Sequence, residues 1–302
     1  MDAIAQVPGY EDWKIAEPVL KGWSDDKKYY IEDRLGRKLL LRLADSKKYA
    51  AKEAEYEFIQ RMNQLAFPMS RAVDFGLTRG GQNVYMLLTW VEGVSLHECI
   101  HSLPEARQYE LGIEAGKILK QMHSVPHSGD DPVWGNWMKN RILSRVEQYE
   151  SCPYRVHGDE RVIAYVRDNI SQLDHVKQVY RHGDFHIGNL IYTAEGGIGV
   201  IDFNRCDSGD YVEDFYKVQM FDREHSIAFA KGKIEGYFEG SPPVEFWRRH
   251  ALYVAYSALY SIIWAIPFGP SDVEGMIERY QTAFTDYDDF TRIIPRWYAE
   301  SL

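Results

Sequence analysis

The stretch from Arg181 to Asn204, RHGDFHIGNLIYTAEGGIGVIDFN, packs His, Asp and Asn side chains between short apolar runs. Leu190-Ile191-Tyr192 and Ile198-Gly199-Val200-Ile201 read as two strands, and Thr193 to Gly197, with its Gly-Gly pair, as the turn between them. Such a hairpin brings Asp184, Asn189 and Asp202 to one end. Three oxygen-bearing side chains gathered there suit a hard cation such as magnesium carrying a phosphate. The chemistry this implies is phosphoryl transfer.

The elements that must position these residues change character along the chain. Residues 13–91 alternate strand and helix patterns. WKIAEPVL and DKKYYIED read as strands around a turn at Gly22-Trp23-Ser24-Asp25-Asp26, and Lys38 to Leu43 as a buried strand. From Tyr49 to Leu65 the period becomes helical, with Tyr56, Ile59 and Met62 recurring beside Phe58, and Pro68 closes it. Arg71–Gly76 and Val84–Val91 return to strands around Gly80-Gly81. After Gly93 the pattern is mostly helical apart from the hairpin: helices are expected over 104–123, 134–150, 159–174, 211–235, 244–267 and 271–290, with a loop at Val125–Pro132. The architecture expected is α+β. A small sheet domain with one helix, 1–93, precedes a larger helical domain, 94–302. No internal repeat is visible.

Composition narrows the partners. The 302 residues are 45% apolar, enough to bury a sizeable core. Cys99, Cys152 and Cys206 are odd in number and widely spaced, without a CxxC, against a disulfide framework or structural zinc and in keeping with a reduced, cytoplasmic setting. The N-terminus lacks a basic region followed by an apolar core, so no signal peptide is expected. Ala251–Phe268 is long and apolar, but its three Tyr, two Ser and a Pro suit a buried helix better than a membrane span. The formal charge is −10, and residues 1–93 balance to zero, so the acidic excess lies wholly in 94–302. That disfavours nucleic acid and favours a cationic small molecule.

His182-Gly183-Asp184-Phe185-His186-Ile187-Gly188-Asn189 resembles the HGDxHxGN signature of the aminoglycoside phosphotransferase family, relatives of the protein kinases that include choline and homoserine kinases. Asp184 and Asn189 keep the spacing of the kinase catalytic loop H-R-D-x-x-x-x-N, and Ile201-Asp202-Phe203-Asn204 is similar to the second metal motif, D-F-G in kinases. Gly209-Asp210 with Asp214 resembles the family's GDPxxD, and Leu119–His123 its helix-ending LxxLH. The likeness runs in order along almost the whole chain. It implies a bilobal protein-kinase-like fold with an antiparallel-sheet N-terminal lobe, and transfer of the γ-phosphate of ATP or GTP with Mg2+. The departures are a single Gly22 in the nucleotide loop, Arg42 where Lys is usual, Asn204 after Asp-Phe, Ile187 where Pro is common, and no APE-type segment, which counts against a protein substrate.

The resemblance implies roles. Asp184 becomes the base that orients the attacking hydroxyl and accepts its proton. Asn189 and Asp202 become magnesium ligands, His182 a structural hydrogen-bonder, and His186 a contact to the transferred phosphate or the substrate. Arg42 would hold the α- and β-phosphates, paired with Glu55 in preference to Glu53 or Glu57. Ser24 would cap the β-phosphate, while Thr89 and Val91 present backbone to the purine. A cationic acceptor needs carboxylates and aromatic faces, for which Asp207, Asp210, Asp222, Glu224 and Trp264 are candidates, as are Asp286, Asp288 and Asp289. Asp214 is expected to brace the catalytic loop instead. The leading expectation is a kinase, monomeric or weakly dimeric, that phosphorylates an aminoglycoside or similar cationic antibiotic and so confers resistance. Alternatives are a kinase of choline, an amino sugar, a homoserine-like metabolite or another antibiotic class, a two-metal phosphoesterase, which would need further His ligands in later loops where His225 and His250 fall within expected helices, and a non-catalytic nucleotide-binding pseudokinase.

Overall fold

The computed structural model describes residues 3–20, 25–127 and 134–300. Gly22, Trp23 and Ser24 of the first expected turn, and Gly129 to Pro132 of the later loop, lie outside them. In chain order the strands and helices are β1 (Trp13–Val19), β2 (Lys27–Asp33), β3 (Lys38–Asp45), α1 (Tyr49–Met62), β4 (Ala72–Leu77), β5 (Asn83–Thr89), β6 (Val94–Ser95), α2 (Leu96–Cys99), α3 (Glu105–His123), α4 (Trp134–Glu150) and α5 (Asp159–Asn169). They continue with β7 (Gln178–Arg181), β8 (Leu190–Tyr192), β9 (Ile198–Val200), β10 (Asp207–Asp210), α6 (Arg223–His225), α7 (Ile227–Phe238), α8 (Val244–Ala265), α9 (Pro270–Asp286) and α10 (Arg296–Ala299).

The chain forms two compact units, Met1–Ser95 with Asn189–Cys206, and Leu96–Gly188 with Asp207–Leu302. The hairpin therefore belongs with the first unit, where the sequence boundary at Gly93 had placed it in the second. The reason is pairing: β6 hydrogen-bonds to β8, Val94 opposite Tyr192, and Met69 bridges to Val200. Gly93, at φ 141°, permits the close approach, since a Cβ there would meet the Tyr192 carbonyl at 2.3 Å.

In the first unit the sheet is antiparallel in the order β1-β2-β3-β5-β4. Ile31, Leu39, Leu41, Leu43, Tyr85 and Leu87 form a buried cluster with Ile4 and Val7. Helix α1 buries Glu55, Phe58, Ile59 and Met62, and Phe58 reaches Phe203 with ring centroids 6.2 Å apart.

In the second unit α3 and α7 lie backbone against backbone. A Cβ on Gly112 would meet the Phe229 carbonyl at 2.2 Å, one on Gly116 the Lys233 carbonyl at 2.1 Å, and one on Gly236 the Ile113 carbonyl at 2.3 Å. Only glycine lets these helices approach so closely. The single helix expected over 211–235 is broken into a 3-10 segment (Tyr211–Phe215), a π turn (Val218–Asp222), α6 and α7. The break falls at Ser226, whose backbone is extended (φ −160°) and whose hydroxyl caps α7 by accepting from Phe229 N. The π turn places Asp222 inside, fully buried, a use common for such insertions. Val244–Phe268 is long and apolar enough to cross a membrane by length and composition, and 61% of its most apolar window is buried within the protein.

Two glycines make the packing testable. Gly116→Ala pushes a methyl group into backbone that cannot rotate away and should cost about 1–3 kcal/mol in denaturant unfolding. Gly275→Ala, inside α9 with only Arg279 Nη1 at 3.7 Å, should stabilise by roughly 0.5–1 kcal/mol.

Candidate active site

The first unit holds the candidate metal and phosphate residues. Ile201 N donates to the Asn189 carbonyl (3.1 Å), which brings the two ends of the β8–β9 hairpin together. Asp202 comes next with φ 64°, a left-handed conformation that Asp tolerates better than most residues. Its carboxylate faces a cation, Lys28 Nζ at 3.4 Å. Asn204 Oδ1, two residues further, is buried without a hydrogen-bond partner. Carboxylate and amide oxygens fit magnesium, which binds through few protein ligands and retains waters and phosphate oxygens. Among the described residues no group of three His, Cys, Asp or Glu is placed to hold a metal.

Arg42, the candidate phosphate ligand, is 4% exposed. Its Nη1 pairs with Glu55, and its Nε and Nη2 donate to Asp26 at 3.1 and 2.5 Å. Burial works against the guanidinium charge, and Glu55 and Asp26 outweigh it. Thr89 ends β5, and its N–H donates to the Arg71 carbonyl (2.8 Å). Trp90 N donates to the Lys38 carbonyl (3.0 Å), and Val91 lies just beyond the strand. Ser24 lies outside the described residues.

The second unit holds the candidate base. Strand β7 pairs with β10, Arg181 opposite Asp207, and delivers the chain to the loop 182–188. Gly183 takes φ 75° there, which a side chain would resist. The Asp214 carboxylate accepts from His182 N (3.0 Å) and Gly183 N (2.8 Å), and His123 Nε2 lies 3.1 Å away. Burial raises the Asp214 carboxyl, but the bond and charge of His123, with Arg181 and His182, bring it down to about 2. Beyond the base, Lys233 Nζ donates to the Phe185 carbonyl (2.6 Å) and to Asp222 (2.9 Å), and Asp222 accepts from Ile187 N (2.8 Å). Asp184 thus lies between two anchored pieces of backbone.

The side chain of Asp184 pairs with Lys217 Nζ, which is almost fully buried. His186 lies 3.8 Å from the same carboxylate and packs tilted against Phe221, ring centroids 5.0 Å apart. Burial, which Asp184 opposes and Lys217 reinforces, pushes this imidazole down to about 3. With Nδ1 accepting from Gly188 N (3.1 Å), a neutral His186 carries its proton on Nε2. The cation at the candidate base is Lys217, which the sequence reading missed. Its position three residues after Asp214 in the GDPxxD-like segment was the available signal.

A family model described as "Phosphotransferase enzyme family" matches residues 15–251. The chain belongs to that family. Solved structures with the same protein-kinase-like fold include a thermostable mutant of aminoglycoside phosphotransferase APH(4)-Ia (TM-score 0.68, 16% identity, covering 91% of this chain and 95% of that one). Another is the GDP complex of wild-type aminoglycoside 2′-phosphotransferase-IIIa (0.68, 15%, 93% and 95%). A third is amicoumacin kinase hAmiN in complex with AMP-PNP, Ca2+ and Ami (0.63, 14%, 95% and 92%). No curated protein sequence matches this one. The protein is a phosphotransferase with a hydroxyl group as acceptor.

Two of the acceptor residues expected in this phosphotransferase, Asp210 and Asp222, lie inside the fold. Asp210 is fully buried and accepts from Val212 N, Arg249 and Tyr253, and burial raises its carboxyl despite Arg249. Asp222 is fully buried in the Lys233 bridge. Both are braces of the fold, because neither has an atom to offer a ligand. Asp207 forks onto Arg181 at 2.6 and 2.7 Å, Glu224 is bridged to Arg279 at 2.8 Å, and Asp286 accepts from Gln219 at 2.8 Å. Asp288 and Asp289 pair with Arg296 and Arg161. Trp264 packs on Phe268 at 4.8 Å. His250 is buried between the Phe215 carbonyl and Tyr287, and His225 lies edge-on to His97 at 4.4 Å.

The neutral imidazole gives a pH prediction. His186→Gln should leave the shape of the pH–rate profile unchanged between about pH 5 and 8, since this histidine titrates well below that window. A limb that disappears in the variant would show His186 changing charge there.

Proposed function

We propose that this phosphotransferase transfers the γ-phosphate of ATP or GTP, bound with Mg2+, to a hydroxyl of an aminoglycoside or similar cationic antibiotic in the cytoplasm, and so confers resistance. The observation that carries the chemistry is the held carboxylate: Asp184, on a backbone fixed at both sides, with the buried ammonium of Lys217 against it. In a loose phosphoryl transfer the protein mainly positions groups, and the base accepts its proton late. Asp184 orients the acceptor hydroxyl and takes that proton. Lys217 stands against that carboxylate and fixes its direction. His186, neutral, offers an N–H to acceptor or phosphate oxygen and adds no charge. Asn189 and Asp202 would hold the magnesium ion, which when bound withdraws charge from the phosphate oxygens.

The cationic acceptor is supported by the acidic excess of residues 94–302 and by the company of the fold. Solved relatives include complexes described with kanamycin, gentamicin and hygromycin B. One observation favours a second reading, a less cationic acceptor such as a metabolite or another antibiotic class. The carboxylates at 207, 210, 222, 224, 286, 288 and 289 are all engaged by the protein's own groups, and amicoumacin kinase shares the fold.

A nucleotide-consumption screen separates these readings, with ATP and GTP each offered aminoglycosides, peptide antibiotics, macrolides and amino-alcohol metabolites. Turnover with an aminoglycoside, matched by reduced drug susceptibility of a host expressing the chain, is the expected result. Turnover confined to a metabolite would reject the antibiotic acceptor and leave the kinase chemistry standing.

A further inference from the structure

The second unit holds a cleft that the phosphotransfer chemistry does not use. It opens between α3, α7, the start of α8 and α10, with a volume of about 800 Å³. That lies within the range of small-molecule sites, roughly 300–1,000 Å³. Its aromatic lining is Tyr109, Trp247 and Tyr298, and its charged lining is Glu235, Glu239 and Lys117. Glu235 is two residues from Lys233, the lysine that holds the Phe185 carbonyl. Two residues turn a helix by about 200°, so the cleft lies on the side of α7 turned away from the catalytic loop.

The charges in the cleft are unevenly matched. At one end Glu239 accepts from Lys120 Nζ at 2.7 Å, and the charges of Lys120 and Lys117 hold its carboxyl below the usual range. One turn earlier on α7, Glu235 has no such partner: among the described residues no Lys, Arg or His is ion-paired with it. Its Oε2 accepts from the Tyr109 hydroxyl (2.5 Å), a bond that pushes this phenol up to about 12. Burial raises the Tyr298 phenol as well, and the charge of Glu235 adds to it. Trp247 packs on Tyr298 with ring centroids 4.6 Å apart, and both are buried.

A carboxylate without a cation, set among aromatic rings, discriminates by charge. A neutral apolar guest would strip water from Glu235 and give nothing back, which is costly. An anion would be repelled. An ammonium gains the carboxylate and the ring faces together. We propose that this cleft binds a small organic cation, an ammonium group carried on an apolar body, at a site separate from that of the phosphate acceptor. The inference stands on the cleft alone and needs no assignment of the acceptor.

Calorimetric titration of the full chain with benzyltrimethylammonium tests the proposal, since this probe has no hydroxyl to phosphorylate. Benzyl alcohol and benzoate, neutral and anionic compounds of similar size, are the controls. Wild-type protein should bind the cation saturably at one site, about tenfold or more tighter than either control. Glu235→Gln should weaken it by about tenfold, the worth of one partly screened charge contact, with the thermal midpoint unchanged. Tyr109→Leu should weaken it too, through the lost ring face. Asp184→Asn should bind it as tightly as wild type. No saturable binding, equal binding of benzyl alcohol, or wild-type affinity in Glu235→Gln would each overturn the proposal. So would loss of binding in Asp184→Asn, which would move the cation to the acceptor site.

Discussion

The grip of one buried carboxylate on two backbone amides governs the second unit. Asp214 accepts from His182 N and Gly183 N with no solvent exposure to speak of. Taking a carboxylate out of water is expensive unless its lone pairs are filled. Here two N–H groups and His123 fill them. The bonds fix the direction in which the chain enters the loop, and Gly183 absorbs the turn at positive φ. The next residue, Asp184, is a carboxylate whose backbone has little freedom left.

The exit from the loop is held by a second set of buried charges, and the helices connect the two. Lys233 and Asp222 grip the Phe185 carbonyl and Ile187 N. Lys233 comes from α7, and its own carbonyl lies where a Cβ on Gly116 of α3 would be. His123, which touches Asp214, is the last residue of α3. One closely packed helix pair therefore supplies a contact to each anchor. Rigid elements hold a reactive group more precisely than loops do, and this loop borrows its rigidity from α3 and α7.

The chemistry-bearing motifs were legible because their residue types and spacing are themselves the requirement: an Asp, an Asn five residues on, and an Asp after two short strands. The order of strands and the long helices came from periodicity, while the preference for Glu55 over Glu53 and Glu57 came from the family resemblance, through the apolar Ile59 and Met62 that follow it. The residues that escaped were those whose roles depend on packing between distant segments. Lys217 and Lys233 look like ordinary helix lysines in a segment read as one continuous helix, yet both are almost fully buried. Asp210 and Asp222 looked like acids for a cationic ligand, and nothing local reveals the Arg249 and Lys233 that cover them. The glycines were the readable signal. Gly112 and Gly116, with Gly232 and Gly236, repeat at one helical turn on two helices, the spacing that lets backbones touch.

The central claim is that a fixed Asp184 acts on the acceptor's hydroxyl and not on the nucleotide. Rapid-quench single-turnover transfer by Asp184→Asn, compared with wild type alongside nucleotide affinity, tests it most directly. The account predicts a transfer rate lower by roughly 10²–10⁴-fold with nucleotide affinity nearly unchanged. Transfer at the wild-type rate, or a loss explained wholly by weaker nucleotide binding, would contradict it.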